Sequence, residues 1–166
     1  MHKNKRSKCQ GQGKGNLSVG FLNSTMQKKV YLKAKSGLGM KAFVDAAFGC
    51  HSDGKSHSGL VLMMSNACIL AISGKQKLVT KSSTEAELVA LSDMLKYVEL
   101  YDEFVKKQGY NEYVIPKVMQ DNQSTISLVT KGGRAPRNKH LRVRQHLVKQ
   151  AVEMKQIEIE YVSVGK

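Results

Sequence analysis

The sequence predicts an α/β domain with a mixed five-stranded sheet flanked by helices, its elements running β-β-β-α-β-α-α-β. Three observations carry this. Strand-length apolar runs bounded by Gly, Asn, Asp and Ser come in two groups, three before and two after a long central segment. That segment, Thr80 to Phe104, repeats its apolar residues at helical period. At 166 residues with 41% hydrophobic content, the chain can bury one core and still carry an extension.

In chain order, residues 1–27 are poor in apolar side chains and rich in Gly, Lys, Asn and Ser, which predicts a basic flexible extension ahead of a domain over 28–166. "KKVYLKAK" (Lys28 to Lys35) suits a short strand outside the main order. "MKAFVDAAFG" (Met40 to Gly49) reads as a buried strand and "CHSDGKSH" as a turn. "SGLVLMMS" and "NACILAIS", joined by a short Ser-Asn connection, suit a hairpin. "TKSSTEAELVALSDMLKYVELYDEF" then starts a helix, because Ser82 with Glu85 and Thr84 with Glu87 both fit the S/T-x-x-E capping spacing. Its core stripe is Leu88, Leu91, Leu95 and Val98, and Lys106, Lys107 and Gly109 mark its end. "YVIPKVMQ" (Tyr113 to Gln120) is a strand that stops at "DNQS", where Asn122 or Ser124 can cap a helix through Thr130. "KGGRAPRN" is a Gly/Pro-punctuated basic loop. A helix over His140 to Met154 follows, and "QIEIEYVSV" (Gln156 to Val164) alternates as a half-buried strand. No internal repeat is present.

Charge narrows the function. The formal balance is +14, and ten Lys or Arg precede the first acid, Asp45. A second basic block holds Lys131, Arg134, Arg137, Lys139, Arg142, Arg144, Lys149 and Lys155 against Glu153 alone. Neither block has a strong apolar face to insert, so the expected partner is a polyanion, nucleic acid before membrane. No apolar run approaches a membrane span, and the N-terminus lacks a signal-peptide core. Cys9, Cys50 and Cys68 offer no Cys-x-x-Cys pair, which favours free thiols in a reducing compartment.

Three acids stand out by placement. Asp45 lies in the first long strand, Asp121 ends the fourth, and Glu87 falls in the first turn of the helix between them. Hairpin strands followed by a crossover can set the first and fourth strands parallel and adjacent. Functional groups of open α/β sheets collect at strand carboxyl ends, so the three acids can meet on one rim. Glu85 cannot share a helix face with Glu87, two positions on, and reads as a capping acid.

This arrangement resembles ribonuclease H, and more closely the ribonuclease H domain of copia-type (Pseudoviridae) retrotransposon Pol polyproteins. The resemblance runs from about Lys35 to Val162 and rests on "FVDAAFG", "HSGLVLMM", "GKQKLVTKSSTEAELVALSD", "VMQDNQSTI", "KHLRVRQHLVKQ" and "EIEYV". It implies endonucleolytic hydrolysis of the RNA strand of RNA–DNA hybrids during reverse transcription, leaving a 3′-hydroxyl and a 5′-phosphate. It further implies that Asp45, Glu87 and Asp121 are catalytic and hold two Mg²⁺, with Mn²⁺ as a substitute. Arg134, Arg137, Lys139, His140 and Arg144 become candidate nucleic-acid contacts, and the partners become reverse transcriptase and other parts of a Pol polyprotein. The expected location is the cytoplasm, within a virus-like particle, with the nucleus as a second compartment.

Some positions depart from the family pattern. "DAAF" stands where D-A-D-W is common, and Arg142 stands where an acid is common. The family's fourth aspartate, in an A-D-x-x-T-K motif after the last strand, has no counterpart before Lys166. Glu158 and Glu160, on the last strand itself, are poor substitutes. The expectation is therefore a domain without its C-terminal helix, holding one metal weakly. The rival expectation is a catalytically weak or inactive relic that only binds nucleic acid. An integrase-type transferase, which shares the fold, is disfavoured by the Asp, Glu, Asp order with Glu on the first long helix.

Overall fold

Side-chain alternation in the first three strands shows how the sheet is oriented before any helix is considered. In the computed structural model, which describes residues 23–24, 26–27, 39–109, 114–131 and 138–163, these strands are β1 (Met40–Ala47), β2 (His57–Met64) and β3 (Ala67–Lys75). Then come α1 (Ser83–Lys107), β4 (Lys117–Gln120), α2 (Gln123–Thr130), α3 (Lys139–Glu153) and β5 (Glu158–Tyr161), the order expected from sequence. The chain divides into two units, Met1–Tyr31 and Leu32–Lys166. The expected extension lies largely outside the described residues, and the strand expected at Lys28 to Lys35 lies wholly outside them.

The sheet is five-stranded and mixed, ordered β3-β2-β1-β4-β5. β1, β2 and β3 form an antiparallel meander, while β4 runs parallel to β1 and β5 parallel to β4. Successive parallel strands need a long crossover: α1 carries the chain from β3 back to β4 beside β1, and α2 with α3 carry it from β4 to β5.

β1 departs from its expected buried character. Met40, Ala42 and Val44 are buried, whereas Lys41, Phe43 and Asp45 are exposed. A strand presents successive side chains to opposite faces, and among the described residues the helices cover one face only. β4 is also shorter than expected and begins at Lys117, because Pro116 before it has no N–H to give a ladder. β5 spans four residues, Glu158–Tyr161, rather than the nine expected.

The core lies between the sheet and the helices, with α1 at its centre. Leu62, Val118, Leu88, Leu91, Val98 and Val148 are fully buried, and each such side chain contributes about 2 kcal/mol of transfer free energy. α1 starts at Ser82, not Thr84: the Ser82 hydroxyl accepts from the Glu85 N–H at 3.2 Å, and the Glu85 carboxylate accepts from the Lys81 N–H at 2.7 Å. It ends before Gly109, whose φ of +77° a side-chain-bearing residue would resist. Asn122 caps α2 and Asn138 caps α3. Among the described residues no helix is long and apolar enough to cross a membrane.

Candidate metal centre

β1 runs further than its parallel partner. Phe43 is the last β1 residue registered on β4, so Ala46 extends past the ladder on that side. Its N–H, left without a strand acceptor there, donates to Glu87 Oε1 at 3.0 Å. Glu87 reaches it from the first turns of α1, where its side chain is only 4% exposed. The other oxygen, Oε2, accepts from Gln120 Nε2 at 3.2 Å, and Gln120 Oε1 accepts from the Asn122 N–H at 3.0 Å. Gln120 is fully buried, so one amide ties the helix acid to the end of β4.

Asp45, exposed on β1, and Asp121, immediately after β4, complete the group. Ligand atoms of Asp45, Glu87 and Asp121 all lie within 4.8 Å of one another, the one such cluster of His, Cys, Asp or Glu among the described residues. Glu85 stays outside it, as a cap. Glu158 and Glu160 are outside it too, and Glu160 pairs instead with Lys117. Burial pushes the Glu87 carboxyl up from its ordinary 4.5 to about 7; the bonds from Gln120 and Ala46 oppose this and the charges of Asp45 and Asp121 reinforce it. Three oxygen-bearing acids with one desolvated and crowded suit a hard divalent cation, which relieves both the crowding and the burial of charge.

The basic residues singled out from sequence are scattered. Arg134 and Arg137, with Gly132 and Gly133, lie outside the described residues. Lys139 and His140 are exposed in the first turn of α3, where the His140 N–H donates to the Asn138 cap at 2.9 Å. Arg144 forms an ion pair with Asp93 of α1 and so ties α3 to α1. Sequence reasoning missed Gln120, although it stands inside the quoted "QDN". A glutamine directly before a site acid, at a buried strand position, is the signal that was there. It also missed the buried Ser56–Thr80 hydroxyl pair, 2.9 Å apart, which anchors the β1–β2 connection to the approach to α1.

Comparison with known proteins gives the same assignment. No protein-family model matches the chain. Over 130 residues, 76% of its length, the chain is 30% identical to the retrovirus-related Pol polyprotein from transposon TNT 1-94 of Nicotiana tabacum, a copia-type polyprotein of which it spans only 10%. Among solved structures it is similar to the ribonuclease H1 of Halobacterium salinarum, with a TM-score of 0.51 at 16% identity, covering 75% of this chain and 85% of that one. It is similar also to LC11-RNase H1, isolated from compost, in complex with an RNA/DNA hybrid: TM-score 0.52 at 12% identity, covering 75% and 85%. The protease–reverse transcriptase of prototype foamy virus matches 80% of the chain over 18% of its own length, with a TM-score of 0.51 at 14% identity. The chain is a ribonuclease H-like domain of the copia-type Pol polyprotein family. Within this ribonuclease H-like sheet, the carboxylate cluster sits at the carboxyl ends of β1 and β4, the two parallel neighbours.

Proposed function

We propose that the domain cuts, endonucleolytically, the RNA strand of RNA–DNA hybrids formed during reverse transcription. The observation that carries this is the convergence of Asp45, Glu87 and Asp121 within 4.8 Å at the strand ends of a ribonuclease H-like sheet. These three would hold Mg²⁺, with Mn²⁺ as a substitute. When bound, such ions lower the pKa of a water and offset the charge that gathers on a phosphodiester during in-line displacement.

The chain's own residues prepare that chemistry. The Ala46 N–H and the Gln120 amide hold both oxygens of Glu87 in place, so the carboxylate need not be oriented during the reaction. Burial raises the Glu87 pKa to about 7, so a cation held there would favour its ionised form and release a proton. Asp45 presents its carboxylate from the exposed face of β1, open to a bound strand. The formal charge of +14 draws a polyanion, and Lys139, His140 and Arg144 with the Arg134–Arg137 loop belong to the proposed interface. The RNA strand is marked by its 2′-hydroxyls. The proposed setting is a Pol polyprotein in a cytoplasmic virus-like particle.

The test offers the chain a hybrid, duplex DNA and single-stranded RNA in Mg²⁺ and in Mn²⁺. The expected result is cleavage of RNA in the hybrid alone, leaving 3′-hydroxyl and 5′-phosphate ends. Hybrid binding without cleavage in either ion would overturn the hydrolase reading and leave a binding domain.

A further inference from the structure

β3 ends the sheet on one side, and among the described residues no strand pairs with it beyond β2. Two hydrogen bonds fix which of its backbone groups are open. The Gln76 N–H donates to the Ser56 carbonyl at 2.9 Å, so even-numbered positions along β3 turn towards β2. The Ser65 N–H donates to the Gly39 carbonyl at 2.8 Å, so odd-numbered positions of β2 turn towards β1, which gives the same alternation. Successive residues of a strand turn their backbone groups to opposite sides, so Ala71, Ser73 and Lys75 point theirs off the edge. The register shift at Leu62/Met63 lies beyond this stretch and leaves it regular.

A cavity lies just inside that edge, on the helix side of the sheet. α1 packs against β1 and β2 rather than β3, and the space left holds a cavity of ≈ 290 Å³ whose lining includes Ile72, Gly74, Leu78, Met94 and Tyr97. Gly74 shares the face of Ile72 and carries no side chain; a Cβ there would meet nothing within 4 Å, so the edge has a gap at this point. The rim is basic. Lys77 and Lys96 are exposed on it, with the Lys96 ammonium 4.7 Å from the centre of the Tyr97 ring, while Arg144 is held by Asp93. Lys75 lines it too and pairs with Asp53.

Gln76 adds an independent sign of a ligand. It lines the cavity and is only 4% exposed; its Nε2 donates to Ser58 Oγ at 2.8 Å and to the Ala86 carbonyl at 2.9 Å, yet its Oε1 accepts from nothing. A buried acceptor without a donor is costly, and an incoming N–H or O–H would relieve it. An extended polypeptide matches all of these features. Its N–H and C=O groups pair with an open edge, and alternate side chains turn to the helix side. A tyrosine or tryptophan there covers the apolar lining with its ring and brings a donor at its tip. Acidic neighbours answer Lys77 and Lys96. A sugar–phosphate backbone would meet the lysines, but it brings no N–H for the edge and nothing apolar for the cavity.

We propose that the edge of β3 receives an extended acidic segment of a partner protein. The segment adds a strand beside Ala71, Ser73 and Lys75 and passes an aromatic side chain through the gap at Gly74 into the cavity, its tip donating to Gln76 Oε1. This interface is separate from the carboxylate cluster and stands whether or not the domain cuts RNA.

The test follows the fluorescence anisotropy of a labelled peptide of about seven residues, a strand's length, with Tyr at its centre and Val alternating with Glu on either side, as the full chain is added. Saturable binding is expected. N-methylation of one alternate set of peptide amides should abolish it, and methylation of the other set should spare it, because only one set faces β3. Replacing the peptide Tyr by Ala should weaken binding about tenfold, and by Phe about threefold. On the protein, Ala71→Pro removes an outward N–H that the ladder does not use, so the fold should persist while binding falls about tenfold or more. Gly74→Val closes the gap with a residue that strands favour and should do the same. Lys77→Ala with Lys96→Ala should cost about threefold. Equal binding by the two methylated peptides overturns the proposal without recourse to any variant. A scrambled peptide of the same composition that binds as tightly overturns it too, since charge alone would then suffice; displacement of that peptide by hybrid would mark the surface as one for nucleic acid. Absence of saturable binding to the wild-type chain also overturns it, whatever the outcome of the cleavage assay.

Discussion

The two faces of the sheet share every strand and almost nothing else. On one, Ala42, Val44, Leu60, Leu62 and Val118 lie against the helical layer and are buried. On the other, Phe43 and Val61 remain 39% and 37% exposed, in the same strands as Asp45 and Gly59. The first face supplies stability and the second supplies access. Glu87 belongs to both, since it leaves the buried helix and ends beside an exposed acid. That double membership explains its raised pKa.

The largest effect should come from Glu87→Gln. It keeps the shape of the side chain and removes the charge, so RNA cleavage should drop to the level of a no-enzyme control while hybrid binding survives. A time course of hybrid cleavage beside a binding titration checks this, and cleavage by the variant at the wild-type rate would separate Glu87 from the chemistry.

Next in size is the contrast between faces. Leu62→Ala, on the helix side, should cost about 2–5 kcal/mol by leaving a cavity, whereas Val61→Ala, its neighbour on the open face, should cost under about 1 kcal/mol. Urea unfolding of both variants measures the difference. Equal losses would mean that the open face is covered in solution.

Glu87 titrates at about 7 in the fold and near 4.5 when unfolded, so the neutral form is the one the fold favours. Its contribution is complete below pH 4.5 and is lost as pH rises through 7. The full shift corresponds to about 3 kcal/mol, and water at the open rim reduces this to about 2 kcal/mol. Unfolding in a chelator between pH 5 and 8 should show that decline, and Glu87→Gln should remove it. The smallest effect should be Glu85→Gln, which loses a cap on the Lys81 N–H and should cost about 0.5 kcal/mol with cleavage intact.

Much of this division was legible in the sequence. The capping spacing with its apolar stripe placed α1 to within a residue, because helix ends and periods are local properties. Asp45, Glu87 and Asp121 were legible because each sits where a strand ends or a helix begins. The open face was not: "AFVDAA" reads as a buried strand, and only the position of the helices shows that every second residue faces outward. β4 was overextended because Pro116 acts through a missing ladder bond that periodicity does not register. Gln120 was missed because its partner Glu87 lies 33 positions back along the chain, in a strand-to-helix contact that only the folded packing creates.

The central claim is that Asp45, Glu87 and Asp121 form one divalent-cation site. Calorimetric titration of Mg²⁺ or Mn²⁺ into wild-type chain, Glu85→Gln and Glu87→Gln at pH 6.5 tests it most directly. The account predicts that wild-type protein and Glu85→Gln bind alike, each releasing a fraction of a proton up to about one, read from the dependence of the heat on buffer. Glu87→Gln should bind far more weakly and release none. Binding by Glu87→Gln at wild-type affinity and with the same proton release would place the cation elsewhere and contradict the account.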